Sequence, residues 1–197
     1  MNLSPAIGRK KWTEEELQAL PDDGFNHEIV DGELVMSPKN NPEHGQICMR
    51  LGAALHMHVE QKKLGAMFDS STGFWMENEN CRAPDISFVS KERLRGLKRP
   101  LKKFFRFAPD LAVEVLSPNN TRAEIQERLR DFFASGTKLA WIIDPESKSA
   151  EICYSLEKRR LLGPNGELNG DLLLGDGYRL IAESGAPPTC RQFHGAR

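Results

Sequence analysis

Apolar residues recur along this chain with two periods, and their alternation predicts the order of its elements. Between residues 43 and 63, Ile47, Leu51, Leu55 and Val59 return at every fourth position, with Ala54 and His58 close to the stripe. That spacing predicts an amphipathic helix ended by Leu64-Gly65. A second helix is predicted from about Thr121 to Ser135, where Ile125, Leu129, Phe132 and Phe133 share a face and Gly136 closes the run. Near the amino end, Thr13 and Glu16 within WTEEELQA form a capping-box pattern for a short helix over 12 to 19.

The remaining apolar stretches are short and read as strands. FNHEIVDGELVMSP predicts a hairpin turning at Asp31-Gly32, with Ile29, Leu34 and Met36 as core candidates. Short strands are expected around 66 to 69 and 73 to 77, and ISFV (86 to 89) is a compact buried strand. LAVEVL (111 to 116) and LAWIID (139 to 144) flank the second long helix, so 111 to 144 reads as a parallel strand–helix–strand crossover. EICYSL adds a strand, GPNGELNG supplies turns, and a final short strand pair follows. The predicted class is α/β, a mixed β-sheet flanked by helices.

Composition narrows the setting. The 197 residues are enough for one core without staples, so the expectation is a single domain over 1–197, its core at about 12–190 and residues 1–11 flexible. No stretch approaches the ~20 apolar residues of a membrane helix, and MNLSPAIGRKKW lacks the apolar centre of a secretory leader. A cytoplasmic protein without membrane contact is expected. Cys48, Cys81, Cys153 and Cys190 stand singly with no CxxC pair, which excludes a zinc ribbon and favours reduced thiols.

Net charge is −1, yet its distribution is uneven. Residues 91 to 106 (KERLRGLKRPLKKFFR) carry +7, which leaves −8 on the rest. Such a patch is either a solvated loop or a contact for polyanions.

One acid conflicts with its surroundings. Glu114 lies inside LAVEVL, where an ionised carboxylate is costly unless it is paired or binds a cation. Asp85 precedes ISFV after Pro84, and Pro109-Asp110 repeats the same grammar before LAVEVL, so the pattern alone does not separate Asp85 from Asp110. Two acids on adjacent strands can hold a hard divalent cation through oxygen. If ISFV pairs with LAVEVL, their connection is the basic segment, which would set positive charge at the rim of an acidic site. Those are the requirements of metal-assisted phosphodiester cleavage.

APDISFV, PDLAVEVLSP, FFASG and LAWIIDPE, preceded by HEIVDGELVMSP and PEHGQI, closely resemble the Uma-type (Uma-two) restriction endonuclease family of the PD-(D/E)XK nuclease superfamily. The resemblance covers roughly residues 12 to 190. It implies a restriction-endonuclease-like core and a catalytic Mg²⁺ or Mn²⁺ held by Asp85, Glu114 and the carbonyl of Val115, with Glu33 as a further acid near the metal. The superfamily places a Lys two residues after the Glu, where this chain has Leu116. In Uma-type relatives that Lys has moved to the following helix, and the matching position here is Arg128. Arg128 lies about 80° from the centre of the apolar stripe, within reach of the site. Arg122 is an alternative cation, and Arg128 also stands one turn from Glu124, a possible surface pair. An Arg stays protonated and cannot act as a general base.

The implied function is hydrolysis of DNA phosphodiesters by a homodimer, with Lys98, Arg99, Lys102, Lys103 and Arg122 on the nucleic-acid backbone. The alternative is a catalytically degenerate nuclease fold serving as a nucleic-acid-binding or interaction module. His44, at the PEH step, could open the first long helix near the site. His56 and His58 face different directions on that helix, and Trp75 and Trp141 read as core.

Overall fold

A computed structural model describes residues 11–181 apart from 22, 39, 99, 100, 172, 176 and 177. The expected flexible lead (except Lys11), Arg99 and Cys190 lie outside the described residues. The chain runs α1 (Glu14–Gln18), β1 (Phe25–Val30), β2 (Glu33–Pro38), α2 (Pro42–Lys62), β3 (Gly65–Asp69), β4 (Phe74–Trp75), β5 (Cys81–Arg82) and β6 (Ile86–Ser90). It continues through α3 (Lys91–Leu94), β7 (Leu111–Val115), α4 (Arg122–Ala134), β8 (Leu139–Asp144), β9 (Ser149–Cys153), β10 (Arg159–Leu162), β11 (Glu167–Asn169) and β12 (Arg179–Ile181).

Local chemistry accounts for the element ends. Thr13 and Thr121 each close a capping box, with Glu16 and Glu124. Asp31 and Gly32 both take positive φ, as a tight hairpin turn of matching twist requires. Lys63 (φ 54°) is the left-handed cap of α2, one residue before the expected stop. Gly65 is required for packing, since a Cβ there would meet the Val89 carbonyl at 2.1 Å.

The central sheet has six strands in the order β10-β9-β8-β7-β6-β3. Only β7 and β8 pair in parallel, joined by α4 as the crossover pattern predicts. Side chains alternate across this sheet with period two. Leu111, Val113 and Val115 of β7 and Leu139, Trp141 and Ile143 of β8 pack with Ile47, Leu51, Leu55 and Val59 of α2. Ala140 and Ile142 face the other side, against Ile125 and Leu129 of α4. Glu114 shares that second face by parity and therefore points toward α4. A smaller sheet, β2-β1-β5-β4, brings the hairpin against β5, and β11 pairs with β12.

The two Pro-Asp steps occupy opposite ends of the same strand pair. β6 and β7 run antiparallel with Ile86 opposite Val113, so continuing the register sets Asp85 opposite Glu114. At the far end Asp110, fully buried, accepts from the Ser90 N–H at 2.8 Å and pairs with Lys138 at 2.8 Å and Arg93 at 3.6 Å. Asp110 is a clamp in the framework.

Three expectations change. Met36 is 48% exposed and Leu34 only partly buried, because β2 is the edge of its sheet. Glu167–Asn169 of GPNGELNG forms β11. The described lysines and arginines of the basic segment do not line the acidic cavity, which the segment reaches only through Phe104: it leaves from the Ser90 end of β6, about 17 Å along the strand from Asp85. Its arginines are partly consumed internally. Arg93 holds Asp110 and donates to the Ala108 carbonyl, while Arg106 pairs with Glu14 at 2.7 Å over the Trp75 ring. Among the described residues no helix is long and apolar enough to cross a membrane.

Leu55 is fully buried between α2 and the sheet, so Leu55→Ala is expected to cost about 2–5 kcal/mol in urea unfolding. Met57→Ala, on the exposed face of α2, should change stability by less than about 0.5 kcal/mol. Burial opposes ionisation of Asp110, but Lys138, the Ser90 N–H and Arg93 outweigh it and hold its carboxyl below the ordinary 3.8. A lowered folded-state pKa stabilises above the unfolded value and is lost as pH falls. The stability of the wild type should therefore drop more steeply below pH 3.8 than that of Asp110→Asn, as acid titration of the unfolding free energy will read.

Candidate active site

Three carboxylates converge where the two sheets meet. Glu114, 7% exposed, projects from β7 toward α4, and Asp85 lies beside it at the start of β6. Glu28, 9% exposed, comes from β1, which the pairing of Ile29 with Cys81 holds against β5. Pro84 keeps the preceding backbone extended, so Ala83 and Asp85 run along the mouth of the cluster. The Ala83 N–H donates to Glu28 Oε1 at 2.7 Å. The Val115 N–H donates to Asp85 Oδ2 at 2.8 Å. Within a strand, one residue's N–H and C=O face the same neighbour, so the Val115 carbonyl is directed to the Asp85 side.

Arg128 binds the group together. Its Nε donates to Glu114 Oε1 at 2.9 Å, one terminal nitrogen donates to Glu28 Oε2, and the other reaches the Ala83 carbonyl at 3.3 Å. Behind it Arg82, 5% exposed, reaches Asp131 at 2.6 Å, Glu127 at 2.9 Å and Glu28 at 3.3 Å. Asn78 and Asn80 donate to Asp131 at 2.7 and 3.0 Å, which fixes the carboxylate that fixes Arg82. A cavity of about 620 Å³ opens over Glu28, Asp85, Glu114, Val115 and Arg128.

The electrostatics fit a cation. Burial pushes the Glu114 carboxyl up to about 8; Asp85 and Glu28 add to this, and Arg128 pulls it down. Arg128, although buried, is held protonated by Glu114 and Glu28. Five carboxylates (Glu28, Asp85, Glu114, Glu127, Asp131) face two guanidiniums and the His44 imidazole. Glu28, Asp85, Glu114 and the Val115 carbonyl offer oxygen, the preference of hard divalent ions. Among the described residues, the hydrogen bonds to Asp85 fall on Oδ2 and that to Glu114 on Oε1. Each acid thus keeps a second oxygen with which to reach a cation.

Of the residues expected from sequence, Asp85, Glu114, Val115 and Arg128 come together around this cavity. Arg128 engages Glu114 and Glu28 instead of the surface acid Glu124. Glu33 does not join them: it opens the exposed edge strand β2 opposite Val30. The hairpin's contribution is Glu28, on the paired strand, which sequence reasoning missed. Its signal was the alternation itself, since a buried Ile29 sends Glu28 to the opposite face. Arg122 is exposed at the start of α4, and Lys98 and Lys102 are exposed away from the cavity. Lys103 pairs with Glu15 at 3.3 Å. His44 does open α2, and its Nε2 lies 3.1 Å from Asp85 Oδ2. Trp141 is fully buried core and Trp75 nearly so.

The model of the Uma2 family, described as "putative restriction endonuclease", matches residues 14–181. A crystal structure described as that of "a putative nuclease belonging to DUF820 from Anabaena variabilis ATCC 29413" is similar over 83% of this chain and 91% of that one. The two share 19% sequence identity with a TM-score of 0.70, so the fold is restriction-endonuclease-like. No curated protein matches the chain.

Removing Arg128 leaves Glu114 and Glu28 buried without their shared cation. Arg128→Met is expected to cost about 3–5 kcal/mol in urea unfolding at neutral pH. Adding Glu28→Gln and Glu114→Gln to it should recover a large part of that loss, a coupling readable in a multiple-mutant cycle.

Proposed function

This chain belongs to the Uma2 family, and we propose that it is a metal-dependent endonuclease cleaving DNA phosphodiester bonds. The observation that carries the reading is the convergence of Asp85, Glu114 and Val115 at one end of β6 and β7 with Arg128 facing them across the cavity. Asp85, Glu114 and the Val115 carbonyl would hold Mg²⁺ or Mn²⁺. Such an ion supplies a Lewis acid for the phosphate and lowers the pKa of a bound water.

The protein's own groups divide the remaining work. Arg128 offers fork-like donors to a phosphate while staying protonated, so it stabilises developing negative charge and accepts no proton. Glu28 is held at both oxygens, by Ala83, Arg82 and Arg128, and serves to aim the guanidinium. Arg82 and Asp131 lock that arrangement from behind. The exposed Lys98, Lys102 and Arg122 lie outside the cavity and suit more distant backbone phosphates, contacts that weaken with salt. Cutting both strands of a duplex calls for two such sites, hence a homodimer.

A second reading has one observation in its favour. Arg128 already neutralises Glu114 and Glu28, as a degenerate site retained for nucleic-acid binding would do.

Supercoiled plasmid at low salt with Mg²⁺ or Mn²⁺ distinguishes them. The wild type is expected to nick, EDTA to abolish nicking, and Glu114→Gln and Asp85→Asn to remove it. Arg82→Gln should lower the rate about 10–100-fold by loosening the support of Glu28. Salt-sensitive DNA binding without cleavage under either metal overturns the nuclease in favour of the binding module.

A further inference from the structure

A second cluster of donors lies on the other side of Asp85 and differs in chemistry from the first. Asn41 caps α2 by accepting the His44 N–H at 2.9 Å, which fixes His44 in the first turn with only 7% exposure. Cys48 follows one turn later on the same face. Its Sγ lies 3.5 Å from His44 Nδ1 and 4.0 Å from Nε2, while Nε2 lies 3.1 Å from Asp85 Oδ2. One donor atom from each of the three residues falls within 4.8 Å of the others. Bonds of 2.0–2.3 Å to a tetrahedral ion place its ligands about 3.3–3.7 Å apart, so the two contacts of His44 Nε2 lie within a few tenths of an ångström of a coordination shell, and closing the whole cluster from its 4.8 Å span takes a shift of about 1 Å.

The donors discriminate between ions. A thiol, an imidazole and a carboxylate suit Zn²⁺ or Co²⁺, whereas Mg²⁺ prefers oxygen alone. The cluster is also reachable. A separate cavity of about 680 Å³ is lined by Asn40, His44, Cys48, Asp85 and Ser70, and Cys48 is only partly buried within it. Three protein ligands and an open face leave room for a fourth, exchangeable ligand. Asp85 lines both cavities.

We propose that His44, Cys48 and Asp85 form a binding site for a borderline transition-metal ion such as Zn²⁺. This site shares Asp85 with the acidic cavity but is otherwise distinct from it. The assignment goes beyond the nuclease reading and does not rest on it, since Cys48 lies outside that site and His44 touches it only through Asp85.

The test uses the full reduced chain and two readouts other than activity. Titration with Co²⁺ is expected to give a thiolate-to-cobalt charge-transfer band saturating at one equivalent, displaced by Zn²⁺ and untouched by Mg²⁺. Cys48→Ser, which exchanges one atom, should lose the band with an unchanged thermal melt, and His44→Gln should weaken Co²⁺ binding about 10–100-fold or more. Zn²⁺ should also protect Cys48 from iodoacetamide, followed by mass spectrometry of the cysteine peptides. Glu114→Gln should keep band and protection while losing Mg²⁺-dependent nicking, which separates the two sites. Absence of the band at saturating Co²⁺, its persistence in Cys48→Ser, or alkylation of Cys48 at an unchanged rate under Zn²⁺ overturns the assignment.

Discussion

A carboxylate on a central strand whose every residue is buried has to find its compensation within hydrogen-bonding reach, and Glu114 imposes that demand on the rest of the molecule. The compensation is the Arg128 guanidinium, delivered by the helix that makes the β7-to-β8 crossover. Burying Arg128 in turn creates a demand for a second acid, which Glu28 meets from the hairpin. Glu28 is then shared with Arg82, whose remaining donors go to Asp131 and Glu127. Each step satisfies one buried charge and exposes the need for the next. The chain of partners ends at Asn78 and Asn80, neutral groups that can close it. This sequence of ion pairs, with the packing of Phe74 against Val89 and Ala112, docks the small sheet on the large one, so the cavity and the attachment of the hairpin share a physical origin.

Sheet polarity explains why similar local motifs end in unlike roles. Asp85 and Asp110 both follow proline and both introduce a strand, but β6 and β7 are antiparallel, so the two acids are carried to opposite ends. At one end lie the α2 amino terminus, Glu114 and the cavity. At the other, Asp110 meets Arg93, Lys138 and the Ser90 N–H, two cations and a backbone donor on one carboxylate. A matched acid has nothing left to offer a ligand. The end with surplus carboxylate is the one with chemistry available to it.

Much of the fold was legible because single residues impose it. Asp31-Gly32 requires positive φ and so declares the hairpin, and the four-residue spacing of α2 declares its buried face. The strand–helix–strand period declares a parallel crossover. Glu114 was legible as an anomaly of burial and Arg128 from helical phase together with family resemblance. Glu28 was hidden because the sequence shows which face of β1 is apolar but not that its opposite face meets α4. The 91–106 segment misled for a related reason: counting charges says nothing of their partners, and Arg93 and Arg106 are committed to Asp110 and Glu14. His44 and Cys48 could be placed one turn apart on a helix, yet only the strand register brings Asp85 to them.

Arginine at position 128 has a structural logic of its own. A lysine presents a point charge, whereas the guanidinium reaches Glu114, Glu28 and the Ala83 carbonyl at once from a rigid fork. That reach is what allows Glu28 to sit buried beside Glu114. It also removes any proton-accepting role from this position, and Glu28, bonded at both oxygens, cannot assume one without breaking the frame that holds it. Asp85 and Glu114, the two acids at the paired strand ends, each face the cavity with one oxygen that no described residue engages. A ligand in the cavity therefore meets those two acids beside a guanidinium that stays charged.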